Sequence, residues 1–165
     1  MFQSAANGLI PVDRMKSLLI VYHSQSGASA QLARSVWRGA QAEQGVATTV
    51  RRAWDAGVED LRRASGLIVV AAENSGSLSG GLKDFLDRIF YPANARSLVL
   101  PYAFVASAGN DGRGAVQQLQ RIMSGIPFPA AAEPLILRGD VTVTQRQAAE
   151  ELGTAFAAGL AMGIF

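Results

Sequence analysis

The chain of 165 residues contains no cysteine, which removes disulfides, thiolate metal sites and thiol nucleophiles at once. Histidine occurs once, as His23, so neither a histidine-based metal centre nor a relay through two imidazoles can be built, and no metal site is expected. Lysine is confined to Lys16 and Lys83, leaving arginine to carry nearly all the positive charge. Hydrophobic residues make up 49%, yet no run reaches the roughly 18 apolar residues of a membrane span. Any redox chemistry must therefore come from a borrowed cofactor.

The formal net charge is +2, and the basic residues fall in pairs such as Arg51-Arg52 and Arg62-Arg63, each near acids. No basic stripe with interleaved aromatics forms, so a nucleic-acid partner is not expected. Residues 1–14 hold Asp13 and Arg14 and no long apolar core, unlike a secretory signal. They read as an N-terminal extension, and 15–165 reads as a single domain, with the cytoplasm as the expected location.

Apolar runs alternate with helical patterns, the signature of a parallel sheet with helices on both faces. Strands are predicted at Leu18–Tyr22, Ala47–Arg51, Gly66–Ala71, Leu98–Ala106 (with Pro101 at its start) and Leu135–Leu137. Between them, helices bury Leu32, Val36 and Ala40; a brief segment at Val58–Ala64; Leu82, Phe85, Leu86 and Ile89, closed by Pro92; and Val116, Leu119, Ile122 and Met123. A last helix repeats Ala148, Leu152, Phe156 and Leu160, with Thr144 and Gln147 as a capping box. Five strands in the order 2-1-3-4-5 are the simplest assembly, with a ligand crevice at the carboxyl ends of the strands.

Three turns converge on that edge. In the first, Tyr22-His23-Ser24-Gln25-Ser26-Gly27-Ala28-Ser29, a strand runs into a hydroxyl-rich turn and then a helix, which suits a neutral phosphate cradle of backbone N–H groups. It is neither a Walker loop, which ends in Gly-Lys-Ser/Thr, nor a G-x-G-x-x-G fingerprint. The second is Glu73-Asn74-Ser75-Gly76-Ser77-Leu78-Ser79-Gly80-Gly81, and the third is Ser107-Ala108-Gly109-Asn110-Asp111-Gly112. Small side chains in all three would let a flat ring approach the backbone.

The first segment resembles the flavodoxin signature, with Ile20, Val21, Tyr22, Ser24, Ser26, Gly27, Ala33 and Val36 matching and Ser29 standing for the usual threonine. The second loop and its helix resemble NAD(P)H-dependent FMN reductases and flavodoxin-like quinone reductases through Gly76, Ser77, Gly80, Leu82, Lys83 and Asp87. The resemblance implies a flavodoxin-like three-layer fold, FMN as cofactor, NAD(P)H as donor, a small-molecule acceptor such as a quinone or free flavin, and a homo-dimer or tetramer. It implies no catalytic side chain, since the chemistry resides on the flavin. Ser24, Gln25, Ser26, Gly27, Ala28 and Ser29 would hold the phosphate; Glu73, Asn74, Ser75, Gly76, Ser77 and Leu78 with Ser107, Ala108, Gly109, Asn110 and Asp111 would hold the ring. These relatives often carry Pro-Glu-Tyr-Asn-Gly where this chain has Ala72-Glu73-Asn74-Ser75-Gly76, so a stacking aromatic must come from Phe90, Tyr91, Tyr102 or another subunit. A one-electron carrier and a flavin-free binding module are the rival readings. His23 reads as a partly exposed loop residue near the phosphate, and Lys83 with Asp87 as a surface pair. The apolar end Leu160–Phe165 favours self-association.

Overall fold

A computed structural model describes residues 15–165, and the proposed extension over 1–14 lies outside them. Eleven elements follow in order: β1 (Lys16–Tyr22), α1 (Ala28–Ala40), β2 (Val46–Arg52), α2 (Val58–Arg63), β3 (Gly66–Asn74), β4 (Ser77–Leu78), α3 (Gly80–Ala95), β5 (Tyr102–Ala108), α4 (Arg113–Gly125), β6 (Leu135–Arg138) and α5 (Val143–Met162). The five long strands are parallel in the order β2-β1-β3-β5-β6, and β4 pairs antiparallel with β3. Counting the main strands alone, this is the expected 2-1-3-4-5 sheet.

Alternation along the central strands splits the core in two. Leu67, Val69 and Ala71 of β3 join Phe85, Leu86 and Ile89 of α3 and Leu119 and Met123 of α4 on one face. Ile68 and Val70 point to the other, against Leu32 and Val36 of α1 and Phe156 and Leu160 of α5. Burial on both faces explains why β1, β3 and β5 are nearly unbroken apolar runs, whereas β2, at the edge, is exposed at four of its seven positions.

Four expectations are corrected. Pro92 does not close α3, which continues to Ala95. The missing proline N–H removes one donor, but the last turn is held by others: the Asn94 amide donates to the Phe90 and Gly125 carbonyls at 2.9 and 3.1 Å, and Arg96 N–H to the Pro92 carbonyl at 3.2 Å. The strand expected from Leu98 begins at Tyr102, because 96–101 is a connector in which Ser97 has φ 51° and Pro101 offers no ladder donor. The cap of α5 is Thr142, whose hydroxyl accepts from Gln145 N–H at 3.2 Å, so Thr144 lies inside the helix. The fourth is β4, read as loop. Glu73 pairs with Leu78 and Asn74 with Ser77 across a turn whose two central residues, Ser75 (φ 50°) and Gly76 (φ 74°), are both left-handed.

Part of the apolar carboxyl end is consumed within the chain. Leu160 is core and the Phe165 ring lies 5.1 Å from that of Phe156, while Met162 and Ile164 remain exposed. Lys83 and Asp87 pair at 2.7 Å on the surface of α3, as their spacing implies. No helix among the described residues is long and apolar enough to cross a membrane.

Candidate functional site

Because the long strands are parallel, their carboxyl ends share one edge, where the segments 23–27, 109–112 and 139–142 emerge beside one another. They open on a cleft of about 620 Å³ lined by Ser26, Ala28, Gln31, Ser107, Ala108, Gly109, Gly139, Asp140 and Val141. The volume lies within the range of small-molecule sites. Gly139 N–H donates to the Ala108 carbonyl at 2.9 Å, which joins the turns after β5 and β6.

The first turn is shaped by Ser24, whose hydroxyl accepts the Gly27 N–H at 3.1 Å, and by Gly27, which caps α1 at φ 102°. Ser24 thus works inside the loop. The N–H groups of the first turn of α1 precede the ladder that starts with Gln31 N–H on the Gly27 carbonyl, so they are available to an anion at the positive end of the helix. Ser29 is almost wholly buried in α1.

The second segment is built otherwise. The hairpin of β3 and β4 lies against α4: the Gln118 side-chain oxygen accepts from Ser77 hydroxyl at 2.9 Å and from Leu78 N–H at 2.8 Å. Glu73 turns its carboxylate onto α4 and accepts the Ala115 N–H at 3.2 Å, satisfying an orphan donor of that helix. Asn74 reaches the other way, its amide donating to the Gln25 side-chain oxygen at 3.4 Å across the mouth of the first turn. Ser75 and Gly76 form the tip. None of Glu73 to Leu78 lines the cleft.

His23, in the first turn, does not line the cleft. Its Nδ1 shares a 3.0 Å hydrogen bond with the Ser79 hydroxyl at the start of α3, and its ring meets that of Trp54 edge-on at 5.5 Å. The residue therefore ties two loops together.

The three stacking candidates are elsewhere. Phe90 and Tyr91 sit near the far end of α3, and Tyr102 opens β5 at the opposite edge of the sheet, 5% exposed in the core. Burial holds the Tyr102 phenol above its ordinary value of 10.0 by disfavouring the phenolate. The native state prefers the neutral phenol, so this contribution is intact below about pH 10 and is lost as pH rises beyond it. Urea melts between about pH 9 and about pH 11 should show a steeper loss of stability than in Tyr102→Phe; identical slopes would refute the linkage.

The cleft fits the phosphate and sugar of a flavin mononucleotide through helix N–H groups, Ser26, Gln31 and Ser107, while Ala108, Gly109, Gly139 and Val141 present apolar and bare-backbone surface. Among the described residues, Asp140 is the one carboxylate on its wall, and no arginine or lysine lines it. Gln31 and the turn 139–141 were missed in the sequence, although Gly139-Asp140 after the last strand is itself a small-residue turn at the same edge.

Comparison with known proteins follows the same line. The sequence model of the NADPH-dependent FMN reductase family matches residues 30–133. Comparison with curated proteins gives no match. Among solved structures, a flavodoxin from the domain Archaea aligns with TM-score 0.74 and 18% identity over 87% of this chain and 98% of its own. A flavodoxin, WrbA-like protein from Agrobacterium tumefaciens aligns at 0.70 and 17% over 89% and 98%. Rubredoxin oxygen:oxidoreductase from Desulfovibrio gigas aligns at 0.77 and 14% over 92% of this chain and 38% of its own. With the family matched over most of its length and the flavodoxin-like sheet in place, this chain belongs to the NADPH-dependent FMN reductase family.

Proposed function

We propose that the chain is an FMN-dependent oxidoreductase that takes electrons from NAD(P)H and delivers them to a quinone, a flavin or a similar small acceptor. The observation that carries this reading is that the amino end of α1 and the turns after β1 and β5 open on one cleft, with Ser26, Ala28, Ser107, Ala108 and Gly109 on its walls. Bound FMN would supply hydride acceptance and electron transfer, chemistry that this chain's own side chains lack.

The protein's part is position and electrostatics. The N–H groups of Ala28, Ser29 and Ala30 with the Ser26 hydroxyl hold the phosphate, and the loop shape set by Ser24 and Gly27 aims them. Gln25, Asn74 and the Ser75-Gly76 tip, with Ala108 to Asp111, border the ring. Glu73, Ser77 and Leu78 act one step back by holding the hairpin on α4. Since none of the aromatics first considered reaches this edge, the phosphate end supplies most of the affinity. The assembly is a homo-oligomer in which a second copy can cover the ring.

Protein incubated with FMN and desalted should retain the flavin absorption bands; a colourless product overturns the reading. Steady-state oxidation of NADPH or NADH with a quinone then separates a reductase, which turns over alone, from a one-electron carrier, which does not.

A further inference from the structure

We propose that the groove between α1 and the edge strand β2 is a second binding site, for a nucleoside phosphate. It lies across α1 from the flavin cleft and does not rest on the flavin reading. The groove measures about 620 Å³, and its walls include Tyr22, Arg34, Trp37, Arg38, Arg52 and Asp55.

Its shape follows from the spacing along α1. Ala30, Arg34, Trp37 and Arg38 fall at i, i+4, i+7 and i+8, one face of the helix, and that face looks over β2. Ala30 and Ala33 are too small to fill the space above Val50, so a hollow remains where larger aliphatic side chains would close it.

The charges in the groove are unbalanced. Among the described residues, four arginines line it against one aspartate. Arg52 is held by Asp55 at 2.8 Å and Arg51 by Asp60 at 3.6 Å. Arg34 and Arg38 make no ion pair among the described residues; Arg63, Arg121, Arg138 and Arg146 are likewise unpaired, but none of those four lines the groove. Two open guanidiniums one helical turn apart suit the oxygens of a phosphate, which they can bind through paired N–H groups. Beside them stand a Trp37 side chain 38% exposed and the partly buried Tyr22, flat surfaces on which a base can lie. A lone inorganic anion would leave the aromatic wall and most of the volume unused. Phosphate and base joined through a ribose use both, whether they come as a free mononucleotide or as the adenosine half of a nicotinamide dinucleotide.

The test uses the full chain carrying Trp54→Phe, so that Trp37 is its single tryptophan. Titration with adenosine 2′-phosphate, adenosine 5′-phosphate and NADPH is expected to quench Trp37 fluorescence saturably. Affinity should fall at least about tenfold in Arg34→Gln/Arg38→Gln. A preference for adenosine 2′-phosphate together with NADPH identifies the dinucleotide as the source, and a preference for adenosine 5′-phosphate identifies a free mononucleotide. Absence of saturable quenching, equal affinity in the double variant, or equally tight competition by inorganic phosphate overturns the proposal. FMN retention in the same samples separates the two readings. The double variant should keep FMN as the parent does, and a chain that binds nucleotide in the groove but no FMN would sink the oxidoreductase reading alone.

Discussion

Ser26→Glu is expected to cost at least about a hundredfold in FMN affinity while leaving the fold intact. Ser26 is exposed, lines the cleft and makes no hydrogen bond on which the turn depends; that role falls to Ser24 and Gly27. A carboxylate there would stand a few ångströms from the phosphate dianion. With an effective dielectric between those of the protein surface and water, the repulsion is about 3 kcal/mol, which corresponds to a factor of a hundred or more. Among the described residues, no arginine or lysine lines the cleft to offset it. Ser26→Ala serves as the companion, since it removes one neutral donor among several and should weaken binding only by several fold, as about 1 kcal/mol implies. Flavin titration followed by absorbance reads both. Equal affinities in Ser26→Glu and the parent would remove the phosphate from this loop.

How much of this was legible in the sequence depends on how local each cause is. The central strands were visible because each is buried on both faces, so every residue of Ile68-Val69-Val70 had to be apolar. The tight turn after β1 was visible because its shape is made within four residues, by Ser24 and Gly27. By contrast, the hairpin of β3 and β4 depends on Gln118, forty residues away, to take up the Leu78 N–H, and its two-residue strand has no pattern of its own. The use of Glu73 has the same character. A carboxylate in a glycine-rich loop looks available to a ligand until the fold brings the open N–H of Ala115 to it. The arginines tell a similar story, since Arg34 and Arg38 lie one sheet connection away from Arg51 and Arg52, and only the packing of α1 beside β2 gathers them into one groove. Local chemistry was readable; which loop faces which helix was not.

Gly153→Val should destabilise the fold by about 3 kcal/mol or more. Helices α1 and α5 meet backbone to backbone: a Cβ on Gly153 would be driven into the Val36 carbonyl oxygen, and one on Gly39 into the Glu150 carbonyl. Neither clash can be relieved by turning a side chain, because the obstructing atoms are main chain. The Thr154 hydroxyl fastens the same crossing, placed 3.1 Å from the Gly39 carbonyl and 3.0 Å from that of Glu150. Valine would force the helices apart and open the layer formed by Val36, Ala149, Phe156 and Ala157, losing burial along with the steric cost. For a domain of this size such a loss lowers the melting midpoint by roughly 6–12 °C. The effect should reach the cleft, because α1 carries at its amino end the N–H groups proposed to hold the phosphate and α5 is the helix packed against it. FMN affinity should therefore fall together with stability in Gly153→Val, whereas Ser26→Glu lowers affinity alone. A Gly153→Val protein that melts like the parent would mean that the two helices do not cross at this distance.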